Sequence, residues 1–292
     1  MNQTDVLPVL VTGATGRVGR VVVDRLLDAG VPVRALTRRP ETAATLPAGV
    51  EVFTGDLTAP ETLDPALDGA GAVFLVWTAP PRTAEAVVER LAARVRRVVF
   101  LSSPHRTPHP LFQQPNPMAV LHAGIERLIA ATGLESTIIR PGMLASNSTA
   151  WWAPAIRAGE VVRWPYGAAG SAPVDDRDVA AVAARTLWQS GHAGGDYVLT
   201  GPESLTQAAQ VDVIGDVLGR RIAFEEMTPD EFRSLWKDTA PSSVVDMLLA
   251  AWSAAVGQPA YITTAVADVL GTAPRTFRQW VADHATAFTE RS

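Results

Sequence analysis

The stretch from Val9 to Gly19 constrains this chain more than any other. An apolar run, Val9-Leu10-Val11, is followed by Gly13, Gly16 and Gly19, and then by an amphipathic segment from Val18 to Leu27. Strand, glycine turn and helix in that order are the setting of a dinucleotide-binding fingerprint. The chemistry lies in the backbone. Glycines without Cβ let the chain turn tightly and let a diphosphate approach main-chain N–H groups at a helix N-terminus, where unpaired donors and the helix dipole favour negative charge. The spacing Gly-x-x-Gly-x-x-Gly is a variant of the commoner Gly-x-Gly-x-x-Gly, and outside this setting it would be an ordinary surface turn. Gly13, Thr15, Gly16, Arg17, Val18 and Gly19 are the expected cofactor contacts of the loop, with Arg17 as an additional phosphate contact.

Further apolar runs follow at Val31–Thr37, Val50–Phe53, Ala72–Val76 and Val98–Leu101, and a sixth ends at Ile138-Ile139. Runs that are apolar on both faces belong to parallel sheets covered by helices on either side. The helical spacing of apolar residues over Thr83–Val95 and Met118–Ala131 supplies such helices. Alternating strand and helix predicts an α/β fold with a Rossmann-type doubly wound parallel sheet. From Asn147 the pattern changes. Helices are expected at Val179–Trp188, Leu205–Leu218, Pro229–Trp236, Val244–Val256 and Pro274–Phe288, with strands at Tyr197–Leu199 and Arg221–Glu225. The 292 residues accommodate a large domain with a smaller lobe. The expected division is a cofactor-binding Rossmann domain over about 1–145 plus about 172–202. A smaller, mostly helical C-terminal substrate lobe takes about 146–171 and 203–292.

The absence of cysteine excludes disulfides, thiolate catalysis and zinc-thiolate sites. A net charge of −5 offers no footprint for nucleic acid or an anionic membrane surface. No apolar run approaches the roughly 18 residues of a membrane span. Met1-Asn2-Gln3-Thr4-Asp5 lacks the basic and apolar regions of a signal peptide, so a cytoplasmic location is expected. Asp175-Asp176-Arg177-Asp178 reads as a helix cap and first-turn acids, not a metal site.

Ligands of such sheets sit beyond the carboxyl ends of the strands, so the residues there are the candidate contacts. After the second strand stands Thr37-Arg38-Arg39-Pro40, with no acid at the place where an NAD-specific site holds the ribose 2′-hydroxyl. A carboxylate there would repel a 2′-phosphate, whereas an arginine pairs with it, so Arg38 points to NADPH/NADP in preference to NADH. Asp56 and Leu57 follow the third strand, with Asp56 placed either for the adenine amino group or as a turn carboxylate ahead of Thr58-Ala59-Pro60-Glu61. Trp77 and Thr78, Ser102 and Ser103, and Pro141, Gly142 and Met143 follow the next three strands. Together they are expected to line the track from ribose to nicotinamide. Trp151, Trp152, Trp164 and Tyr166 form an aromatic cluster that would suit a flat, apolar pocket or, equally, a core.

These motifs together resemble the NmrA-like family of atypical short-chain dehydrogenase/reductases. The resemblance rests on Val-Thr-Gly-Ala-Thr-Gly-Arg-Val-Gly at the start, Thr-Arg-Arg-Pro, Gly-Asp-Leu and Ile-Ile-Arg-Pro-Gly-Met. The segment Leu270-Gly-Thr-Ala-Pro-Arg-Thr-Phe-Arg-Gln-Trp-Val is also similar to the ends of such chains. The family implies NAD(P)-binding with a preference for NADPH. It includes quinone, azo-compound and isoflavonoid-type reductases, together with redox-sensing regulators that catalyse nothing.

Reductases of the broader superfamily place Tyr-x-x-x-Lys on the helix after the fifth strand, one turn apart on one face. Here Met118 falls at the tyrosine and His122 at the lysine, so the usual proton relay is absent. His122, Ser103 and Tyr166 are the candidate catalytic groups, with His105 and His109 as alternative donors. Met143, Trp151, Trp152 and Trp164 are the candidate substrate contacts. The expected activity is NADPH-dependent hydride transfer to a small apolar or aromatic carbonyl, quinone or conjugated acceptor. The alternatives are a non-catalytic redox sensor acting through a protein partner and non-redox chemistry on a bound cofactor. A small-molecule partner is expected, and monomer and homodimer both stay open.

Overall fold

The computed structural model describes residues 6–289; residues 1–5, on which the reading of the N-terminus rests, lie outside the described residues. Six strands and four helices build the first half: β1 (Val9–Thr12), α1 (Arg17–Asp28), β2 (Val33–Thr37), β3 (Glu51–Thr54), α2 (Asp64–Leu67), β4 (Ala72–Val76), α3 (Ala84–Arg94), β5 (Arg97–Leu101), α4 (Pro117–Ala130) and β6 (Glu135–Pro141). Then come α5 (Asn147–Ala158), β7 (Val162–Trp164), β8 (Gly170–Ser171), α6 (Asp176–Trp188), β9 (Asp196–Leu199) and β10 (Leu205–Thr206). The remainder holds α7 (Gln207–Val217), β11 (Phe224–Glu226), α8 (Pro229–Trp236), α9 (Ser242–Ala255), α10 (Ala265–Leu270) and α11 (Phe277–Asp283).

Seven strands form one parallel sheet in the order β3-β2-β1-β4-β5-β6-β9. The apolar runs are uninterrupted because both faces are covered. Val9, Val11, Ala72, Phe74 and Val99 face one core with α1 and α6, while the intervening Leu10, Val73, Leu75, Val98 and Phe100 face the other with α2, α3 and α4. Full burial of such side chains contributes about 1.5–3 kcal/mol each. The chain reverses direction of winding between β1 and β4, which opens the crevice of a doubly wound sheet at their carboxyl ends. There the Thr12 hydroxyl donates to the Phe74 carbonyl at 3.0 Å and accepts from the Val76 N–H at 2.7 Å, tying the two diverging strands.

A second core gathers Trp152, Trp164, Phe232, Trp252, Phe277 and Trp280 from α5, β7, α8, α9 and α11. Two small ribbons, parallel β7–β11 and antiparallel β8–β10, complete this half. Several segments differ from their sequence expectation: the strand expected at Arg221–Glu225 is Phe224–Glu226, and Leu205–Thr206, expected to open a helix, is a strand ahead of α7. The helix expected over Pro274–Phe288 is α11 followed by a 3-10 turn, Ala285–Phe288, broken at His284. Ala265–Leu270 does not stay with the second core, because Val266 and Val269 pack into the sheet core beside α6. Among the described residues no helix is long and apolar enough to cross a membrane.

Candidate functional site

A cleft of about 360 Å³ lies over the carboxyl ends of β1, β2 and β4 and is lined by Gly13, Thr15, Gly16, Arg38, Asp56, Leu57 and Thr78. Sequence reasoning did not single out Thr12, Leu36, Thr42, Gly55 or Val76, which also line it. Thr12 ends an apolar strand and Thr42 lies in a short 3-10 turn, Pro40–Thr45, so neither carried a pattern.

The glycine loop is shaped for close approach. Gly13 has φ +65, a left-handed conformation that side chains rarely adopt, and a Cβ on Gly19 would lie 2.1 Å from the Gly13 carbonyl oxygen. α1 therefore starts hard against the turn, at Gly16, and no side chain caps its first N–H groups. α4, α6, α7 and α8 by contrast are capped by Asn116, Asp175, Thr206 and Thr228. Uncapped donors at a glycine-lined N-terminus fit a diphosphate. Arg17 is exposed beside them, while Val18 points into the sheet core at 6% exposure and offers only its backbone.

At the far end of the cleft the β2 turn is braced by threonines. Thr37 Oγ1 accepts the Arg39 N–H at 3.1 Å, and Thr42 Oγ1 donates to the Arg39 carbonyl at 2.7 Å. Arg38 and Arg39 are exposed, and neither forms an ion pair among the described residues. Their guanidinium groups are free to meet a 2′-phosphate. Asp56 Oδ1 accepts the Thr58 N–H at 2.8 Å, so its carboxylate shapes a turn while bordering the cleft.

Trp77 does not line this track with its ring. It is 5% exposed in the core beneath α3, and its Nε1 donates to the Ala79 carbonyl at 2.6 Å.

After β5 and β6 the side chains form a buried charge knot. Arg140, 1% exposed, makes a two-pronged pair with Glu126 at 2.7 and 2.9 Å, reaches Asp196, and donates to the Ser103 carbonyl at 2.9 Å. Ser102 Oγ donates to Glu126 as well, so this hydroxyl is directed into the knot and not toward a ribose. Burial raises the Glu126 pKa, but the Arg140 and Ser102 hydrogen bonds outweigh it and hold the carboxyl below its ordinary value. Ser103 Oγ stands 3.3 Å from His105 Nδ1, and His105 Nε2 stands 3.8 Å from Glu126.

His122 is 8% exposed on α4, edge-on to Phe100 with ring centroids 5.6 Å apart. Its Nδ1 is buried without a partner. Burial pulls its pKa down to about 4 against the opposing pull of Glu126, so the ring is neutral at physiological pH and offers no imidazolium there. Met118 is 42% exposed. The helix thus carries no charged proton donor at either position of the superfamily pair. His109 is likewise committed: Nδ1 accepts the Leu111 N–H at 3.2 Å, which leaves Nε2–H to donate to the Pro259 carbonyl at 2.9 Å.

The low pKa has a consequence for stability. The unfolded chain takes up the His122 proton near 6.5, whereas the folded chain does so only near 4. Stability is therefore full above 6.5 and falls as pH drops toward 4; the gap is worth roughly 3 kcal/mol. Urea unfolding at pH 7 and pH 4.5 should show His122→Gln losing about 2–3 kcal/mol less than the parent over that interval. Equal losses would contradict the assignment.

The aromatic cluster divides. Trp152, 0% exposed, is a core residue and lines no cavity, since large aromatic rings gain most when wholly buried, whereas Trp164, 2% exposed, belongs to the same core and also borders a cavity. Trp151 is half-buried and borders, with Trp236 and Met227, an open cavity of about 750 Å³ that shares no lining residue with the cofactor cleft. Met143 and Tyr166 pack against the same core. Tyr166 has φ 54, uncommon for a residue with a side chain. That turn is held by Gln207 Nε2, which donates to the Pro165 and Tyr166 carbonyls at 3.0 Å each. Pro141 and Gly142 end β6 in partly exposed positions, with the Gly142 N–H donating to the Leu199 carbonyl at 2.8 Å.

Residues 13–189 match the model of a protein family described as NAD(P)H-binding. The chain is 40% identical over 286 residues to the (4-alkanoyl-5-oxo-2,5-dihydrofuran-3-yl)methyl phosphate reductase of Streptomyces griseus, covering 96% of this chain and 99% of that one. It is 29% identical to the NAD(P)H azoreductase of Xenophilus azovorans, with 96% and 99% covered. Among solved structures it is similar to the NADPH-dependent quinone oxidoreductase of Escherichia coli complexed with NADPH, with a TM-score of 0.81, 25% identity, and 95% and 99% of the two chains covered.

Proposed function

Because the chain belongs to the NAD(P)H-binding, NmrA-like branch of the atypical short-chain dehydrogenase/reductases, we propose that it reduces a conjugated acceptor, a quinone or an α,β-unsaturated carbonyl compound, at the expense of NADPH. It is an oxidoreductase, as its relatives are, and their names weigh against a purely regulatory role. When bound, NADPH supplies a hydride to the acceptor carbon. The observation that carries the choice of acceptor is the chemistry of α4: an exposed Met118 and a buried, neutral His122 stand where a proton-donating pair would be.

A simple ketone needs a proton on oxygen as the hydride arrives, and general acid catalysis contributes about 10²–10⁴-fold. A quinone or a conjugated lactone spreads the incoming charge and takes its proton from water afterwards. The relative's name describes a ring double bond conjugated to carbonyl groups, in keeping with this class. In this reading the glycine loop and α1 N–H groups hold the diphosphate, Arg38 and Arg39 hold the 2′-phosphate, and Asp56 and Leu57 border the adenosine. Ser103, Pro141 and Gly142 border the nicotinamide side. The substrate is a small molecule met from the side of segments 146–171 and 203–292, in the cytoplasm.

The test is NADPH oxidation followed at 340 nm with a quinone, an unsaturated lactone and a saturated ketone at equal concentration. Consumption with the first two, and a rate about 100-fold or more lower with the ketone, is expected. Equal rates with the ketone, or no oxidation with either conjugated acceptor, would overturn the choice.

A further inference from the structure

Asp176, in the first turn of α6, is 7% exposed, and the mechanism above does not use it. Its Oδ1 accepts the Ser146 hydroxyl at 2.7 Å, whereas its Oδ2 is buried without any partner. Ser146 stands at the N-cap of α5 but caps nothing with its side chain. Its Oγ instead receives Arg17 Nη1 at 3.4 Å, across 129 residues of sequence. A surface arginine of the glycine loop is thus the outer end of a chain whose inner end is a buried carboxyl.

A buried carboxyl with one unsatisfied oxygen is costly, and burial pushes the pKa of Asp176 up. The carboxyl is not needed as a cap, because Asp175 already caps α6 through the Arg177 N–H. The direction of the chain indicates what the arrangement does. β6, which leads into Ser146, lies on the side of β1 occupied by β4 and β5, opposite the Arg38 turn on β2. Arg17 therefore leans toward the nicotinamide half of a bound dinucleotide.

We propose that Ser146 and Asp176 are positioning residues that hold Arg17 over the nicotinamide-side phosphate of NADPH, so that the lobe beginning at α5 reads the occupancy of the glycine loop. The inference rests on the NADPH reading of the cleft. A long arginine held by a hydrogen bond before the ligand arrives loses less side-chain freedom on binding.

The test is calorimetric titration of the full chain with NADPH and with adenosine 2′,5′-bisphosphate, which keeps the adenosine and the 2′-phosphate but lacks the second phosphate of the diphosphate. Ser146→Ala and Asp176→Asn should each weaken NADPH about tenfold, as loss of a charge-assisted hydrogen bond does, and leave the bisphosphate within about twofold. Combined with Arg17→Gln, neither should weaken NADPH further, since both act through that guanidinium. Unchanged NADPH affinity, parallel loss of both ligands, or losses that multiply with Arg17→Gln would each overturn the proposal. Should Asp176→Asn not fold, Ser146→Ala carries the same comparison. Failure of the unmodified chain to bind NADPH at all would instead overturn the reading on which the proposal rests.

Discussion

Replacing Glu126 by alanine is expected to cost about 3–5 kcal/mol of folding stability, because it leaves a buried guanidinium without the buried one of its two charge partners. Arg140 is 1% exposed and spends its donors on Glu126, Asp196 and the Ser103 carbonyl. Asp196, at 44% side-chain exposure, is partly screened and cannot compensate. Removing the carboxyl also frees Ser102 Oγ and loosens the segments after β5 and β6 together, since both hang on this one pair. Urea unfolding should therefore show a large drop in midpoint with little change in slope. A loss below about 1 kcal/mol would mean that the pair behaves like an exposed one and that water enters the knot. The parent should also lose stability in acid. The folded-state pKa of Glu126 is depressed, so its contribution is present above the ordinary carboxylate value and is lost as pH falls through the lower folded one.

This knot was not legible in the sequence, although its parts were visible. In the sequence Arg140 is one letter of the Ile-Ile-Arg-Pro-Gly-Met motif. Its position at the end of an otherwise apolar strand, with Ile139 buried before it, was the available sign that it needed a carboxylate. Glu126, one turn after His122 on a helix with Ile125 and Ile129 buried, was the other half of the same sign. Pairing two charges across elements requires the sheet order, which periodicity does not contain.

The strands and the glycine loop were legible because a doubly wound sheet imposes uninterrupted apolar runs and a fixed order of turn and helix. All seven sheet strands lie where an apolar run or the late Tyr197–Leu199 segment placed them, within a few residues. The aromatic residues were less informative. Trp152 and Trp164 look like pocket residues and core residues equally well until the helices that cover them are known. Asp176 was hidden for a different reason: among three acids at a helix start, only the structure tells that Asp175 caps α6 and pairs with the Arg275 guanidinium, that Asp178 accepts the Arg275 backbone N–H, and that Asp176 is buried against Ser146.

Arg38→Glu is expected to reverse the choice of cofactor. The braced turn after β2 offers two exposed arginines to the cleft, and no carboxylate of the described residues claims either of them. A glutamate at position 38 removes one charge-assisted contact to a 2′-phosphate and adds a repulsion. Together these should lower the NADPH-over-NADH affinity ratio on the order of 100-fold. NADH, with only a 2′-hydroxyl, gains an acceptor and should bind no worse. The ratio should also fall with rising salt in the parent and depend little on salt in the variant, because the partly exposed pair is screened.

The most direct measurement is calorimetric titration of the parent and Arg38→Glu with NADPH and NADH at one ionic strength. Tighter binding of NADPH by the parent, with that preference lost or inverted in the variant, is the predicted result. A parent that binds neither nucleotide, or binds NADH more tightly, would contradict the account at its root.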